Sequence, residues 1–160
     1  MYKIIKNIIS KSECEEIHKQ FEISKKQKDY LVVESDIIYE WDLIDTYSEK
    51  FKDLVEDFYS INLKPLRAYI RKSYRGQTLP KHKDGTPFVL SIFLKQMGDG
   101  INPLYVYSAD STSKNEIILE EGDGVIFAGY ELPHERPPIV SDWIFGMYLG
   151  YEQINKSKIF

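Results

Sequence analysis

Cysteine is nearly absent from this sequence of 160 residues, which contains only Cys14. A single thiol excludes an internal disulfide framework and is typical of a reducing compartment, so we expect a cytoplasmic protein. Long hydrophobic runs are missing too, since the longest apolar stretch, residues 88–94, is too short to span a bilayer. The N-terminal sequence MYKIIKNIIS mixes lysine with apolar residues and has no small-residue cleavage site, which argues against a signal peptide. We therefore expect no membrane partner.

An excess of basic residues is also missing, because 21 lysines and arginines stand against 25 acidic residues and the formal net charge is −4. This balance argues against nucleic acid as a general partner. No internal repeat, low-complexity tract or linker rich in proline, glycine and serine divides the chain. We expect one domain over residues 1–160, with a helical layer at about 10–60 and a β core at about 65–152. No pattern specifies an oligomeric state.

Two amphipathic helices are predicted in the first third of the chain. Ser10 and Glu13 have the spacing of a capping box, and the apolar residues that follow recur at helical intervals. The apolar face of this first helix consists of Cys14, Ile17 and Phe21. Asp45 is a candidate N-cap for the second helix. The apolar face of the second helix consists of Phe51, Leu54, Val55 and Phe58. Residues 30–41 between the helices fit neither pattern well and are consistent with a partial strand.

After Pro65 the chain changes to short runs rich in β-branched and aromatic residues, separated by turn residues. The predicted strands lie within residues 66–74, 87–94, 103–109, 115–121, 124–129 and 143–151. No run is followed by a long helical pattern, which argues against parallel βαβ units. The expected fold class is mainly β with N-terminal helices, in which a helical layer packs on an antiparallel, cupin-like jelly-roll core.

Histidine is scarce as well, yet two of the three histidines can be placed in one metal site. His82 and Asp84 form a His-x-Asp step, and in an extended segment their side chains point to the same face. His134 follows a predicted strand 50 residues after Asp84. Two histidines and one carboxylate make a facial triad, which leaves coordination positions open and is typical of non-haem Fe(II) oxygenases. His18 lies on the first predicted helix, where a packing role is the better interpretation.

Four segments carry a family resemblance: KNIISKSECEEIHKQF, YRGQTLPKHKD, GDGVIFAGYELPHE and the closing aromatic strand. In outline from residue 6 to residue 151, the chain resembles the 2-oxoglutarate- and Fe(II)-dependent dioxygenases, most closely their prolyl-hydroxylase-like branch. The resemblance implies a double-stranded β-helix core. It also implies a catalytic iron bound by His82, Asp84 and His134, with 2-oxoglutarate and O₂ as cosubstrates and ascorbate as a candidate reductant.

The chain departs from this family in the cation that binds the far carboxylate of 2-oxoglutarate. The family usually has an arginine or lysine on the strand after the distal histidine, but residues 141–151 contain no basic residue. Trp143 or Ile144 stands where the cation is expected. Arg136 is our first substitute, because a looser group of short oxygenase-like proteins, which this chain also resembles, has a His-x-Arg step there. The other cosubstrate-binding candidates are Lys81, Lys83, Arg67, Arg71 and Tyr74, the last of which matches a family tyrosine that contacts the cosubstrate.

Residues 64–83 contain seven basic residues and no acidic one. Beside an iron site this segment would attract the cosubstrate and an anionic substrate, although a solvated surface explains each charge equally well. Tyr69 and Tyr74 within it would permit contact with single-stranded nucleic acid, against which the acidic chain argues. Four aromatic residues are candidates for the pocket wall, and core packing explains them as well. They are Tyr105, Trp143, Phe145 and Tyr148.

Taken together, the resemblance implies a dioxygenase that hydroxylates a peptide side chain or a small molecule and releases succinate and CO₂. Two alternatives stay open. The first is a cupin-like metal-binding jelly-roll protein without 2-oxoglutarate oxygenase activity, which the missing strand cation favours. The second is an inactive interaction domain whose loops around Gly85 and Pro137 contact a protein partner.

Overall fold

The first helix begins where its capping residues predict. In the computed structural model, which describes residues 1–29 and 34–154, helix α1 spans Lys11–Ile23. The Ser10 hydroxyl accepts a hydrogen bond from the backbone N–H of Glu13 at 3.2 Å, which confirms the predicted cap. The buried residues of α1 are Cys14, Ile17 and Phe21, as the periodicity predicts.

The second helix begins earlier than expected. Helix α2 spans Asp42–Tyr59, so the prediction of Asp45 as its N-cap is wrong. The Trp41 carbonyl already accepts the first helical hydrogen bonds, from the N–H groups of Ile44 and Asp45. Asp42 and Asp45 therefore lie in the first turn, where carboxylates stabilise the positive end of the helix dipole. Phe51 and Val55 are buried, and Leu54 and Phe58 pack against the same core.

The strands account for most of the rest of the chain. They are β1 (Tyr2–Ile5), β2 (Gln27–Lys28), β3 (Asp36–Ile38), β4 (Leu63–Tyr74), β5 (Leu79–His82), β6 (Phe88–Met97), β7 (Leu104–Tyr107), β8 (Lys114–Ile117), β9 (Gly124–Ala128), β10 (His134–Arg136) and β11 (Trp143–Gln153). Each of the six runs predicted as strands overlaps an observed strand. In the ambiguous segment 30–41, β3 confirms the partial strand, and residues 30–33 lie outside the described residues. The sequence did not predict β1, β2, β5 and β10.

The strands form two antiparallel sheets, which confirms the predicted fold class. The major sheet has the order β1-β9-β6-β11-β4-β3-β2, and the minor sheet has the order β5-β10-β7-β8. Both helices pack on the major sheet, with contacts to β4, β6 and β11. Its other face turns toward the minor sheet and encloses the interior of the jelly roll.

Burial on both faces explains why the central strands read as continuous apolar runs. On β6, Leu90 and Ile92 belong to the core shared with the helices, whereas Val89 packs with residues of the minor sheet. The five residues of β9 are buried without exception. Among the described residues, neither helix has the length and apolar character needed to cross a membrane.

Candidate functional site

The pairing of two short strands brings the predicted ligands together. Strands β5 and β10 are antiparallel neighbours, and His82 lies directly opposite His134 in their register. Asp84 follows β5, and its backbone N–H donates a 2.9 Å hydrogen bond to the Gly129 carbonyl. Two residues 52 positions apart in sequence thus face each other, with the carboxylate of Asp84 held beside them.

The three side chains converge on one point. His82, Asp84 and His134 each offer one ligand atom, and these atoms lie within 4.8 Å of one another. The Nε2 atom of His82 is 3.3 Å from Asp84 Oδ1, and the Nε2 atom of His134 is 3.4 Å from Asp84 Oδ2. Two histidines and one carboxylate placed in this way could hold a metal ion, which is what the facial triad predicted from the sequence requires.

Backbone contacts orient both imidazole rings for metal binding. The Nδ1 atom of His82 lies 2.7 Å from the Pro80 carbonyl oxygen, and the Nδ1 atom of His134 lies 3.1 Å from the Leu132 carbonyl oxygen. An imidazole that donates from Nδ1 presents the lone pair of Nε2, which is the usual outer-shell arrangement of a metal-bound histidine. Both Nε2 atoms face Asp84, so the donor set fits a divalent transition metal.

The carboxylate of Asp84 also fits a metal ligand. Its Oδ2 atom is buried and makes no hydrogen bond of normal geometry with the described residues. Burial alone would raise the pKa of this carboxyl, but the neighbouring imidazoles of His134 and His82 lower it to about 2. For His82, burial lowers the pKa, but the contacts with Asp84 and the Pro80 carbonyl outweigh it and raise the value. A buried anion flanked by two imidazoles is an arrangement that a bound cation would stabilise.

A close backbone approach sets the position of Asp84. A Cβ atom at Gly129 would lie 2.9 Å from the Asp84 Cβ and 2.4 Å from the Thr86 carbonyl oxygen. Real Cβ atoms do not approach backbone this closely, so only glycine fits behind the ligand loop. The sequence reasoning missed Gly129, whose only signal is its place directly after the strand in GVIFAG.

Two cavities adjoin the triad. The inner cavity, about 90 Å³, lies inside the jelly roll, and besides the triad its polar lining includes Tyr69, Arg71, Tyr148 and Arg136. The outer cavity, about 430 Å³, also reaches His82 and Asp84, and its lining includes Asp29, Tyr39, Arg67, Lys83 and Tyr148. Both cavities thus adjoin the same two side chains of the triad.

Arg136 lines the inner cavity, two residues after the candidate ligand His134. Its Nη1 group donates a 2.8 Å hydrogen bond to the Asn102 carbonyl, and it forms no ion pair with the described residues. Burial, together with the charge of Arg71, lowers the pKa of Arg136 to about 10. The guanidinium thus remains charged at neutral pH and keeps donors for an anion.

No family model matches the chain, and no curated protein is similar to it in sequence. Solved structures are similar in fold. A prolyl-4-hydroxylase of Pseudomonas putida has a TM-score of 0.76 at 12% identity, with 96% of this chain and 92% of that chain covered. HygX of Streptomyces hygroscopicus with nickel, 2-oxoglutarate and hygromycin B bound has a TM-score of 0.77 at 11% identity, covering 96% and 83%. A Trichoplax adhaerens prolyl hydroxylase in complex with a hypoxia inducible factor peptide has a TM-score of 0.77 at 13% identity, covering 95% and 83%.

This chain has the fold of the 2-oxoglutarate–Fe(II) oxygenases. On this oxygenase fold, the strand that should carry the cosubstrate cation is β11. Ile144 of β11 lines the inner cavity, whereas Trp143 stacks on His18 with ring centroids 4.7 Å apart. The stack agrees with the packing role predicted for His18. An aliphatic residue thus occupies the expected position, and Arg136 of β10 faces the same cavity.

Two other predicted cosubstrate residues point elsewhere in this oxygenase fold. The Tyr74 hydroxyl donates a hydrogen bond to the Asp36 carboxylate on β3, and burial together with this bond raises the pKa of Tyr74. Lys81 is exposed, with its Nζ atom 3.6 Å from the centre of the Tyr107 ring. Neither side chain lines the inner cavity among the described residues.

The wall of the inner cavity contains one aromatic pair that the sequence reasoning identified only in part. Of the four aromatic candidates, Phe145 and Tyr148 line the inner cavity, and Tyr105 does not. Tyr69 also lines this cavity, although the sequence did not predict it as a wall residue. It lies opposite Tyr148 in the β4–β11 register, and their rings stack with centroids 4.6 Å apart.

Proposed function

We propose that this protein is a non-haem Fe(II)- and 2-oxoglutarate-dependent dioxygenase that hydroxylates a small molecule or a peptide side chain and releases succinate and CO₂. The observation that carries the proposal is the convergence of His82, Asp84 and His134 within 4.8 Å beside a cavity with a charged arginine. Two solved structures of the same fold support both substrate types, one by its bound hygromycin B and the other by its bound peptide.

The triad would hold the iron through the Nε2 atoms of both histidines and the carboxylate of Asp84. Bound there, iron and 2-oxoglutarate supply the oxidising chemistry with O₂. The protein contributes fixed ligands, because the Pro80 and Leu132 carbonyls orient the two rings before any metal binds. The enclosing sheets hold the reacting groups in one place and limit access of water to them.

Arg136 is suited to bind the far carboxylate of 2-oxoglutarate. A guanidinium has five N–H donors, and the contact with Asn102 uses one of them. Arg71 lines the same cavity, but its Nε atom is already 2.6 Å from Asp29. As cosubstrate-binding residues, Tyr74 and Lys81 remain predictions, and their contacts with Asp36 and Tyr107 offer no support for them. We therefore assign the anchor to Arg136.

The test is the formation of succinate by purified protein with Fe(II), 2-oxoglutarate and O₂, in the absence of a primary substrate. We expect slow uncoupled turnover that falls below detection in His82→Ala and Asp84→Ala, while His18→Ala keeps it. Circular dichroism checks that the variants fold. Turnover that persists undiminished in either triad variant would contradict the proposal.

The cupin-like alternative predicts that the protein binds metal but shows no metal-dependent binding of 2-oxoglutarate. Calorimetric titration of 2-oxoglutarate should show binding only to metal-loaded protein if the cosubstrate chelates the metal. Metal binding without metal-dependent 2-oxoglutarate binding would favour the cupin-like protein. Absence of both metal binding and 2-oxoglutarate binding would favour the interaction domain.

We also infer a cytoplasmic location from the single thiol, Cys14. This thiol is buried, and burial raises its pKa to about 11.

A further inference from the structure

The outer cavity differs from the inner cavity in size and in what lines it. It is larger, about 430 Å³ against about 90 Å³, and it reaches the triad at His82 and Asp84. The narrow inner cavity suits a small chelating cosubstrate held by Arg136. The wider outer cavity has room for a larger molecule beside His82 and Asp84.

One wall of the outer cavity alternates cations and an aromatic ring. Arg67, Tyr69 and Arg71 are alternate residues of β4 and so point to the same face of the sheet. The Arg67 guanidinium lies 5.5 Å from the centre of the Tyr39 ring, and that of Arg71 lies 4.9 Å from the centre of the Tyr69 ring. Arg67 is exposed and Arg71 is half-buried, and each guanidinium keeps a contact with an aromatic face beside the cavity.

The basic residues of segment 64–83 fall into two groups, those that form ion pairs and those that do not. Four of its seven basic residues form ion pairs: Lys64 with Glu152, Arg71 with Asp29, Lys72 with Glu22 and Arg75 with Asp142. Lys81 lies over the Tyr107 ring. Arg67 and Lys83 are left, and neither forms an ion pair within residues 1–29 and 34–154. Both are exposed and line the outer cavity together with His82 and Asp84, so among the described residues they are the basic side chains of this cavity without an ion pair.

The acidic residues of the outer cavity do not cancel these charges. Asp29 is 2.6 Å from Arg71, so this carboxylate already has a cation. Asp84 is the proposed metal ligand, and a divalent metal exceeds its single negative charge. With metal bound, the outer cavity carries an excess of positive charge, which raises the local concentration of anions.

We propose that the primary substrate is a small molecule with an anionic group, a carboxylate or a phosphate, that Arg67 and Lys83 bind in the outer cavity. The inference rests on the proposed function, because it makes the outer cavity the substrate side of the triad. Arg67 supplies a planar guanidinium that matches either anion with two hydrogen bonds, and Lys83 supplies a second charge. The carbon to be oxidised then lies between this anion and the metal.

The test uses protein with Mn(II) in the triad and three probes: phenylacetate, phenyl phosphate and uncharged benzyl alcohol. Calorimetry measures the affinity for each probe with and without Mn(II). Paramagnetic relaxation of the probe nuclei by Mn(II) then reports whether the probe lies near the triad. The variants are Arg67→Gln, Lys83→Gln and the double variant, and Lys64→Gln is the matched control from the same basic segment.

We expect an anionic probe to bind beside Mn(II), to lose about tenfold in affinity in each single variant and more in the double variant. Lys64→Gln should bind it like the unmodified protein. A preference for phenyl phosphate over phenylacetate identifies a phosphate substrate, and the reverse preference identifies a carboxylate substrate.

The proposal would be overturned if the uncharged probe bound as tightly as the anionic probes, or if the double variant kept full affinity for the anions. An oligothymidylate is added as a fourth probe, and its binding without binding of either small anion would also overturn the proposal, since this would identify a nucleic-acid surface. Failure of Mn(II) to bind the triad would instead contradict the proposed function, because anion affinity can be measured without metal.

Discussion

Arg136 keeps its positive charge inside a cavity, since a pKa of about 10 leaves the guanidinium protonated at neutral pH. Replacing Arg136 by glutamine removes this charge but retains an amide near the Asn102 carbonyl. We expect the Kd for 2-oxoglutarate to rise about 10- to 100-fold, because a hydrogen bond to a charged group contributes roughly 1.5–3 kcal/mol. Calorimetric titration of metal-loaded protein measures the change.

The control for this prediction is Arg75→Gln, because Arg75 pairs with Asp142 at the surface, where both side chains are exposed. Its affinity for 2-oxoglutarate should equal that of the unmodified protein. Metal affinity should be the same in both variants, since neither arginine belongs to the proposed ligand set. Unchanged affinity in Arg136→Gln together with a loss in Arg71→Gln would move the anchor to Arg71.

Gly129 gives a second prediction about a single residue. In Gly129→Ala the new Cβ meets the Thr86 carbonyl oxygen at 2.4 Å and the Asp84 Cβ at 2.9 Å, so the ligand loop must move. We expect affinity for Ni(II) to fall by about tenfold or more and stability to fall by about 1–3 kcal/mol. Gly85→Ala is the matched control, because no atom lies within 4 Å of a Cβ there. Equal metal affinity in the two variants would show that the Asp84 loop tolerates the displacement.

At the scale of elements, length and composition decided what the sequence could predict. The long strands β4, β6 and β11 and both helices extend over enough residues for periodicity to show. Strand β5 is as short as the predicted β7 and β8, but LPKH in β5 and HER in β10 contain no β-branched residue, tyrosine or phenylalanine, and these two strands form because each pairs with a neighbour in the minor sheet. Residue type therefore marked His82 and His134 as candidate metal ligands, but the register that places them opposite each other could not be predicted from the sequence.

The direction of the side chains was the other property that the sequence did not predict. The alternation of Arg67, Tyr69 and Arg71 shows that they share one face, but only the pairing of β4 with β11 shows that this face lines the cavities. Tyr74, at the end of the same strand, bonds to Asp36 of β3 instead. Family resemblance alone does not reveal such a contact, because it depends on which strand lies beside β4.

Asp123 connects two segments of the chain and gives a pH-dependent prediction. Its carboxylate accepts hydrogen bonds from Lys6 Nζ at 2.7 Å and from the backbone N–H groups of Asn7 and Glu120 at 3.0 and 2.9 Å, which ties the segment after β1 to the turn before β9. Burial raises the pKa of Asp123, but these hydrogen bonds outweigh it and lower the value below 3.8. A lowered pKa means that the stabilisation is complete above pH 3.8 and is lost as the pH falls through the folded-state pKa.

We therefore expect Asp123→Asn to be less stable than the unmodified protein at pH 7 by about 1–3 kcal/mol, mainly through the buried carboxylate. The difference should shrink as the pH falls below about 4, because protonation removes the same charge from the unmodified protein. Urea unfolding at pH 7 and pH 3 measures both values. A difference that does not depend on pH would show that the lowered pKa contributes nothing to folding.

At the scale of the whole molecule, the two sheets have different roles. The major sheet packs the helices on one face and supplies the Tyr69 and Tyr148 wall with the other. The minor sheet supplies His82 and His134 from its paired strands β5 and β10. Asp84 joins the two layers, because its N–H bonds to Gly129 at the end of β9, a strand of the major sheet. A metal bound to the triad would therefore link both sheets and stabilise the fold.

This linkage predicts a rise in Tm when Ni(II) is added in excess. At a concentration of about 100 times its Kd, a ligand specific to the folded state adds about 2.7 kcal/mol, which for a domain of this size corresponds to about 5–10 °C. His134→Ala should lose the rise, because it removes one ligand. His18→Ala should start from a lower Tm, because His18 stacks on Trp143, yet show the full rise. Thermal unfolding followed by circular dichroism, with and without Ni(II), separates the two roles. An equal rise in His134→Ala and His18→Ala would place the metal outside the triad.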